Sequence, residues 1–151
     1  MERKQFLRSI GSAAAFAVIF PCVQGCSSDD GGEAQQEEGN LEVPVGVDFS
    51  LDLQASENAA LAENGGYILK DDVVVARNLE GEYVAASQVC SHQGYNEVRF
   101  VSQNGGIFYC DVHGSQFEQD GSPINQVDSS TPRPLKIFKT ELDGSTLRVF
   151  E

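Results

Sequence analysis

Both histidines of this 151-residue chain and two of its four cysteines fall in two short stretches, Cys90-Ser91-His92-Gln93-Gly94 and Cys110-Asp111-Val112-His113-Gly114-Ser115. A thiol and an imidazole two or three positions apart can face one metal centre, and two such stretches together supply four ligands. Two thiolates with two imidazoles suit tetrahedral zinc. They suit equally a 2Fe-2S cluster in which two His replace two Cys on one iron. Gly94 and Gly114, one or two residues after each histidine, let the backbone turn tightly and bring amide N–H groups close to whatever is bound. With both histidines committed to a metal, no Ser-His-Asp or Cys-His catalytic set remains, and no catalytic residue is assigned.

The two stretches have to be brought to one place by the elements around them. Seventeen residues separate His92 from Cys110, enough for one strand out and one back, so both loops can meet at the same end of a small sheet. The flanking sequence reads as short strands. Val45, Val47, Phe49, Leu51 and Leu53 alternate with period two. Further strands are predicted at 67–70, 73–77, 83–87, 98–101, 107–109, 135–141 and 146–150, with Asp71-Asp72 and Asp143-Gly144 as hairpin turns. Only residues 55–63 (ASENAALAE) could carry a short helix, and a loop fits them as well. Many short strands at close spacing predict an all-β fold, a small antiparallel sandwich or barrel with the metal-binding loops as a subdomain.

The paired pattern, followed by Gln116-Phe117, Gly121 and Pro132-Arg133-Pro134-Leu135, resembles the Rieske iron-sulfur family over residues 43–151. The resemblance implies a Rieske-type 2Fe-2S cluster, with Cys90 and Cys110 binding one iron through sulfur and His92 and His113 binding the other through ring nitrogen. Anionic thiolates favour the ferric state at the first iron. Neutral imidazoles stabilise the reduced state at the second, which raises the potential above that of an all-Cys cluster. Exposed histidine ligands are expected to offer an electron a short path from a docked partner.

Departures from the respiratory members of that family carry information. Those members have an additional Cys in each loop, joined as a disulfide, and Tyr95 and Val112 stand in these places here. The Ser that the resemblance expects to donate to a bridging sulfide is Ser115. The Tyr expected two residues later is Phe117, which has no hydroxyl. With one donor kept and one lost, the expected potential lies below that of the respiratory proteins, within the Rieske span of about −150 to +300 mV.

Ahead of the domain, a basic start (Arg3, Lys4, Arg8) leads into an 11-residue apolar run, Ile10 to Phe20. That run falls short of the ~20 residues a spanning helix needs, and the layout is that of a signal peptide over 1–25. Arg3-Lys4-Gln5-Phe6-Leu7 resembles a twin-arginine signal with Lys for the second Arg. Val23-Gln24-Gly25-Cys26 resembles a bacterial lipoprotein cleavage site, which makes Cys26 the expected lipidation site and the membrane a partner through that lipid anchor. Residues 26–42 hold six acidic and no basic side chains and read as a solvated tether. The domain is then 43–151.

Charge closes off one class of function. Ten basic against 23 acidic side chains give a net charge of −13, and loss of residues 1–25 leaves 7 basic and 22 acidic, which argues against nucleic-acid binding. The sequence therefore predicts an exported, lipid-anchored electron carrier on the periplasmic side of a bacterial membrane or on the cell surface. It would pass single electrons from a membrane or periplasmic donor, quinol included, to a redox partner protein such as a cytochrome. One alternative is the small Rieske subunit of a periplasmic molybdenum oxidoreductase resembling arsenite oxidase. An alternative of another class is a zinc-stabilised binding lipoprotein.

Overall fold

The computed structural model describes residues 41–151. The expected signal, the expected lipidation site Cys26 and the expected tether up to residue 40 lie outside the described residues. Nine strands follow in order: β1 Asp48–Asp52, β2 Tyr67–Lys70, β3 Val73–Arg77, β4 Tyr83–Ser87, β5 Val98–Val101, β6 Ile107–Cys110, β7 Gln116–Phe117, β8 Ile137–Asp143 and β9 Thr146–Phe150. Six of them form one antiparallel sheet in the order β1-β9-β8-β4-β3-β2. The other three, β5-β6-β7, form a small sheet inserted between β4 and β8. The fold is the all-β, antiparallel one that the strand pattern predicts, with the inserted sheet as the subdomain that carries both loops.

Strand β3 explains how the two layers share a core. Its residues Val73, Val74, Val75 and Ala76 are all fully buried. Because side chains alternate along a strand, Val74 and Ala76 face a cluster with Phe100, Phe108, Phe117, Cys90 and Cys110. Val73 and Val75 face the opposite cluster with Leu51, Leu61, Phe138, Leu147 and Val149. An unbroken apolar run is what a strand covered on both faces requires. The cysteines are thus part of the hydrophobic core between the large sheet and the small one.

Turn chemistry fixes the register. Asp71 and Asp72 both take positive φ, 50° and 58°, and close the β2–β3 hairpin with Lys70 opposite Val73. That is the backbone of a two-residue primed turn, in which Asp is tolerated because its short polar side chain suits the left-handed region. Gly144, at φ 59°, does the same between β8 and β9.

Of the two readings open for residues 55–63 the structure takes the helix, a 3-10 helix over 56–62 in which Leu61 is buried. The structure differs from the sequence expectation in three places. Strand β1 begins only at Asp48, and Val45 is 83% exposed, so alternation alone overextended it. Strand β8 runs 137–143, two residues later than expected at each end, because Leu135 is buried in the core from an irregular segment. Two-residue β7 is too short to leave a periodic signal.

Candidate metal centre

The first loop follows β4 of the large sheet and the second follows β6 of the small one, yet the two close in the same way. In the first, the N–H of Cys90 donates to Tyr95 O at 2.7 Å and the N–H of Gly94 donates back to Cys90 O at 2.8 Å. In the second, Cys110 N–H donates to Ser115 O at 2.9 Å and Gly114 N–H to Cys110 O at 3.0 Å. Each cysteine therefore pairs with the residue five ahead and the glycine four ahead. Gly94 (φ 69°) and Gly114 (φ 74°) make the left-handed step that both closures require. The loops differ only in where the histidine falls, two positions after Cys90 and three after Cys110.

Outside contacts hold each loop. Ser91 donates its hydroxyl to Arg133 O, tying the first loop to the proline-rich segment. Leu41, the last apolar residue of the expected tether, donates its N–H to Gly94 O at 3.0 Å, so the chain enters the domain beside this loop. The second loop is clamped by Asn125, whose Nδ2 donates to Gly114 O at 2.9 Å and whose Oδ1 accepts from Gln116 N–H at 2.8 Å. Those two bonds straddle Ser115. Arg99 forms a two-pronged ion pair with Asp111, which lowers the Asp111 pKa and raises that of Arg99.

Four side chains meet at the end of the small sheet as two pairs. Cys90 and Cys110 are free thiols, both buried and close enough to hydrogen-bond each other. That bond from Cys110 is the largest influence on Cys90 and lowers its pKa against the opposing effect of burial. Backbone N–H groups of His92 and Gln93 and the Ser115 hydroxyl act in the same direction. Cys110, as the donor, is pushed up, first by Cys90 and then by burial. His92 and His113 form the second pair, edge to face with ring centroids 5.1 Å apart and planes at 83°. Tyr95 packs edge-on against His113 at 5.6 Å, so an aromatic ring stands where the resemblance puts a disulfide in respiratory relatives.

Two buried polar atoms in this place have no well-formed partner, His92 Nδ1 and Ser115 Oγ. Ser115 lies close enough to favour a thiolate at Cys90 but makes no hydrogen bond of good geometry. Orphaned buried polar groups are costly and need a reason. A bridging sulfide beside Ser115 and an iron at His92 Nδ1 would satisfy both. Sulfur pair, nitrogen pair and the two orphaned polar atoms together fit a 2Fe-2S cluster. Among the described residues no three His, Cys, Asp or Glu side chains converge as a single-ion site would ask.

The two imidazoles are not equivalent, and one expectation is corrected here. His92 has a side chain only 7% exposed, with Asp128 Oδ2 3.7 Å from its Nε2, so it is not an open electron port. His113 is half-buried, between exposed Val112 and Gly114. Sequence reasoning also missed Asn125 and Asp128. Both lie in the irregular stretch between β7 and β8, where turn-forming residues were visible but their targets were not.

The Rieske [2Fe-2S] domain family matches residues 47–139, and this chain belongs to that family. Its cofactor is accordingly a Rieske-type 2Fe-2S cluster, and the protein is a Rieske-type electron carrier. Solved structures similar to it include the cyanobacterial plasma membrane Rieske protein PetC3 from Synechocystis PCC 6803, at 25% identity and TM-score 0.46, covering 60% of this chain and 89% of that one. The quaternary ammonium Rieske monooxygenase CntA with L-carnitine is similar at 18% identity and TM-score 0.43, covering 62% of this chain and 30% of that one. Naphthalene 1,2-dioxygenase with indole bound gives 21% identity and TM-score 0.46, covering 68% of this chain and 26% of that one. No curated protein sequence matches the chain.

Proposed function

We propose that Cys90 and Cys110 hold one iron of the cluster through sulfur and that His92 and His113 hold the other through nitrogen. The observation that carries this reading is the meeting of buried thiols as one pair and imidazoles as another, with Ser115 Oγ and His92 Nδ1 buried and unpartnered beside them. When bound, the cluster supplies a one-electron couple. The chain's own residues set the rest. Amide N–H groups of both loops surround the sulfurs and stabilise their negative charge. Ser115, held between the two Asn125 bonds, supplies a further donor. Phe117, fully buried, excludes water without offering a hydrogen bond.

Around the domain, the same reading makes 1–25 a cleaved signal, Cys26 the lipidated residue and 26–42 a tether, with 43–151 working on the outer side of a bacterial membrane. Single electrons pass from a membrane or periplasmic donor, quinol included, to a partner protein such as a cytochrome. That partner meets the end of the small sheet where half-buried His113 adjoins exposed Val112 and Asp111.

Ligand assignment is tested by iron and acid-labile sulfide analysis with the visible spectrum of Cys90→Ala, His92→Ala, Cys110→Ala and His113→Ala. Each variant is expected to lose the wild-type Rieske spectrum, and one that keeps it is not a ligand change. Mass spectrometry of membrane-extracted protein tests the anchor. A mature chain beginning at diacylated Cys26 supports it, and any other start rejects it.

A further inference from the structure

The turn at 127–130 places a carboxylate against one of the two histidines, and among the described residues none pairs with the other. Asp128 Oδ2 lies 3.7 Å from His92 Nε2. On the same ring, Nδ1 is buried and unpartnered. The ring therefore has a free nitrogen facing inward and a nitrogen facing an acid outward. This is the arrangement in which a carboxylate orients a metal-binding imidazole from behind.

Considerable structure is spent on that placement. Val127 and Ser130 exchange backbone hydrogen bonds at 2.8 and 2.9 Å, and the Ser130 hydroxyl adds a third to Val127 O at 3.0 Å. Val127 itself is buried and anchors the turn. Asp128 and Ser129 both sit in the left-handed region, at φ 50° and 63°. Like Asp71-Asp72, the pair makes a two-residue primed turn, here closed by Val127 and Ser130, in which a short polar side chain such as Asp is tolerated. Asp128 thus stands at the tip of a braced turn with its side chain against His92.

We propose that Asp128 is a positioning residue for the redox centre: it fixes the His92 ring with Nδ1 inward and puts a negative charge beside that ligand, which lowers the reduction potential. A fixed negative charge favours the oxidised, more positive state of a nearby centre. The acid acts at short range, 3.7 Å from a ring whose side chain is only 7% exposed, although its own side chain is 64% exposed and open to salt screening. It also makes the two imidazoles electrostatically unlike, since among the described residues His113 has an aromatic neighbour, Tyr95, and no ion-pair partner.

This inference rests on His92 as a ligand, so its test must fail separately from that assignment. Asp128→Asn suits the experiment because Asn is as much at home in the left-handed region as Asp, so the turn survives and only the charge goes. Asp128→Gly, free of strain at φ 50°, is the second variant. Asp143→Asn, at the β8–β9 turn of the large sheet, removes one negative charge elsewhere as a control. Midpoint potentials of the cluster-loaded full chains are measured by protein-film voltammetry at fixed pH and ionic strength. The expected result is an upward shift in both Asp128 variants and no shift in Asp143→Asn, with the Rieske spectrum retained throughout. No shift in the Asp128 variants, an equal shift in the control, or failure of both Asp128 variants to load a cluster overturns the proposal. An unaltered spectrum in His92→Ala would instead overturn the ligand assignment on which it stands.

Discussion

At the scale of single residues, the centre is tuned by donors that are present or missing. Ser115 is fully buried with its hydroxyl beside the Cys90 sulfur. Hydrogen bonds to the sulfurs of an iron–sulfur cluster raise its potential. Ser115→Ala is therefore expected to lower the midpoint potential while cluster content stays the same, and an unchanged value would show that the hydroxyl faces elsewhere. Phe117 belongs to the same buried cluster as both cysteines and lacks a hydroxyl. Phe117→Tyr is expected to raise the potential, and protein-film voltammetry that finds no change would remove the missing donor from the account. Much of this residue-scale chemistry was legible in the sequence. The offsets of His92 and His113 from their cysteines, and the glycines that follow, point before any coordinates exist to these four residues as candidate ligands. The acid over His92 was not legible, because Asp128 lies 36 positions from the histidine it covers and its turn leaves no periodic trace.

At the scale of elements, the loops are held by a few contacts that single substitutions can test. Gly121 sits at φ 89°, and a Cβ there would stand 2.4 Å from Leu135 O and 3.0 Å from Ile137 Cγ1. The backbone carbonyl cannot retreat, because Leu135 N–H donates to Gly121 O at 2.9 Å. Gly121→Ala is expected to cost at least ~1–3 kcal/mol, from strained backbone and the clash together, seen as a lower midpoint in urea unfolding. Asn125→Ala removes both bonds that straddle Ser115. Its expected cost is roughly 1–3 kcal/mol for two backbone groups left unpaired, together with faster cluster loss on standing. A variant that keeps wild-type stability and cluster lifetime would show that the second loop is held by its own closure alone. Elements were partly legible: β2, β3 and β4 fall at the expected positions because period-two patterning and turn residues agree there. At β1 and β8 the apolar residues Val45 and Leu135 outrun the strand, since one is exposed and the other is buried without pairing. The packing of the two sheets through β3 could not be read from a run of valines.

At the scale of the whole molecule, charge is the dominant feature. Residues 41–151 carry 7 basic and 17 acidic side chains. Among the described residues three ion pairs, Arg99 with Asp111, Lys136 with Glu151 and Arg148 with Asp48, lie at the surface, where such pairs contribute little. Self-repulsion of the acidic excess is therefore expected to outweigh them. Raising ionic strength from 0.01 to about 0.15 M contracts the Debye length from about 30 Å to about 8 Å. Thermal unfolding of the cluster-loaded protein is expected to move to higher temperature over that range, and a fall would show that the ion pairs dominate. The acidic surface also shapes function, since a partner with a basic docking face would associate faster at low salt.

Two sulfurs and two nitrogens of this chain are proposed to hold a two-iron cluster. Electron paramagnetic resonance of the dithionite-reduced protein, with nitrogen couplings resolved by pulsed methods, tests that most directly. The result expected is a Rieske signal carrying couplings from two inequivalent imidazole nitrogens, both absent from the protein's signal once His92 and His113 are replaced. A reduced cluster with no nitrogen coupling, or a colourless protein that carries zinc and gives no signal, would contradict it.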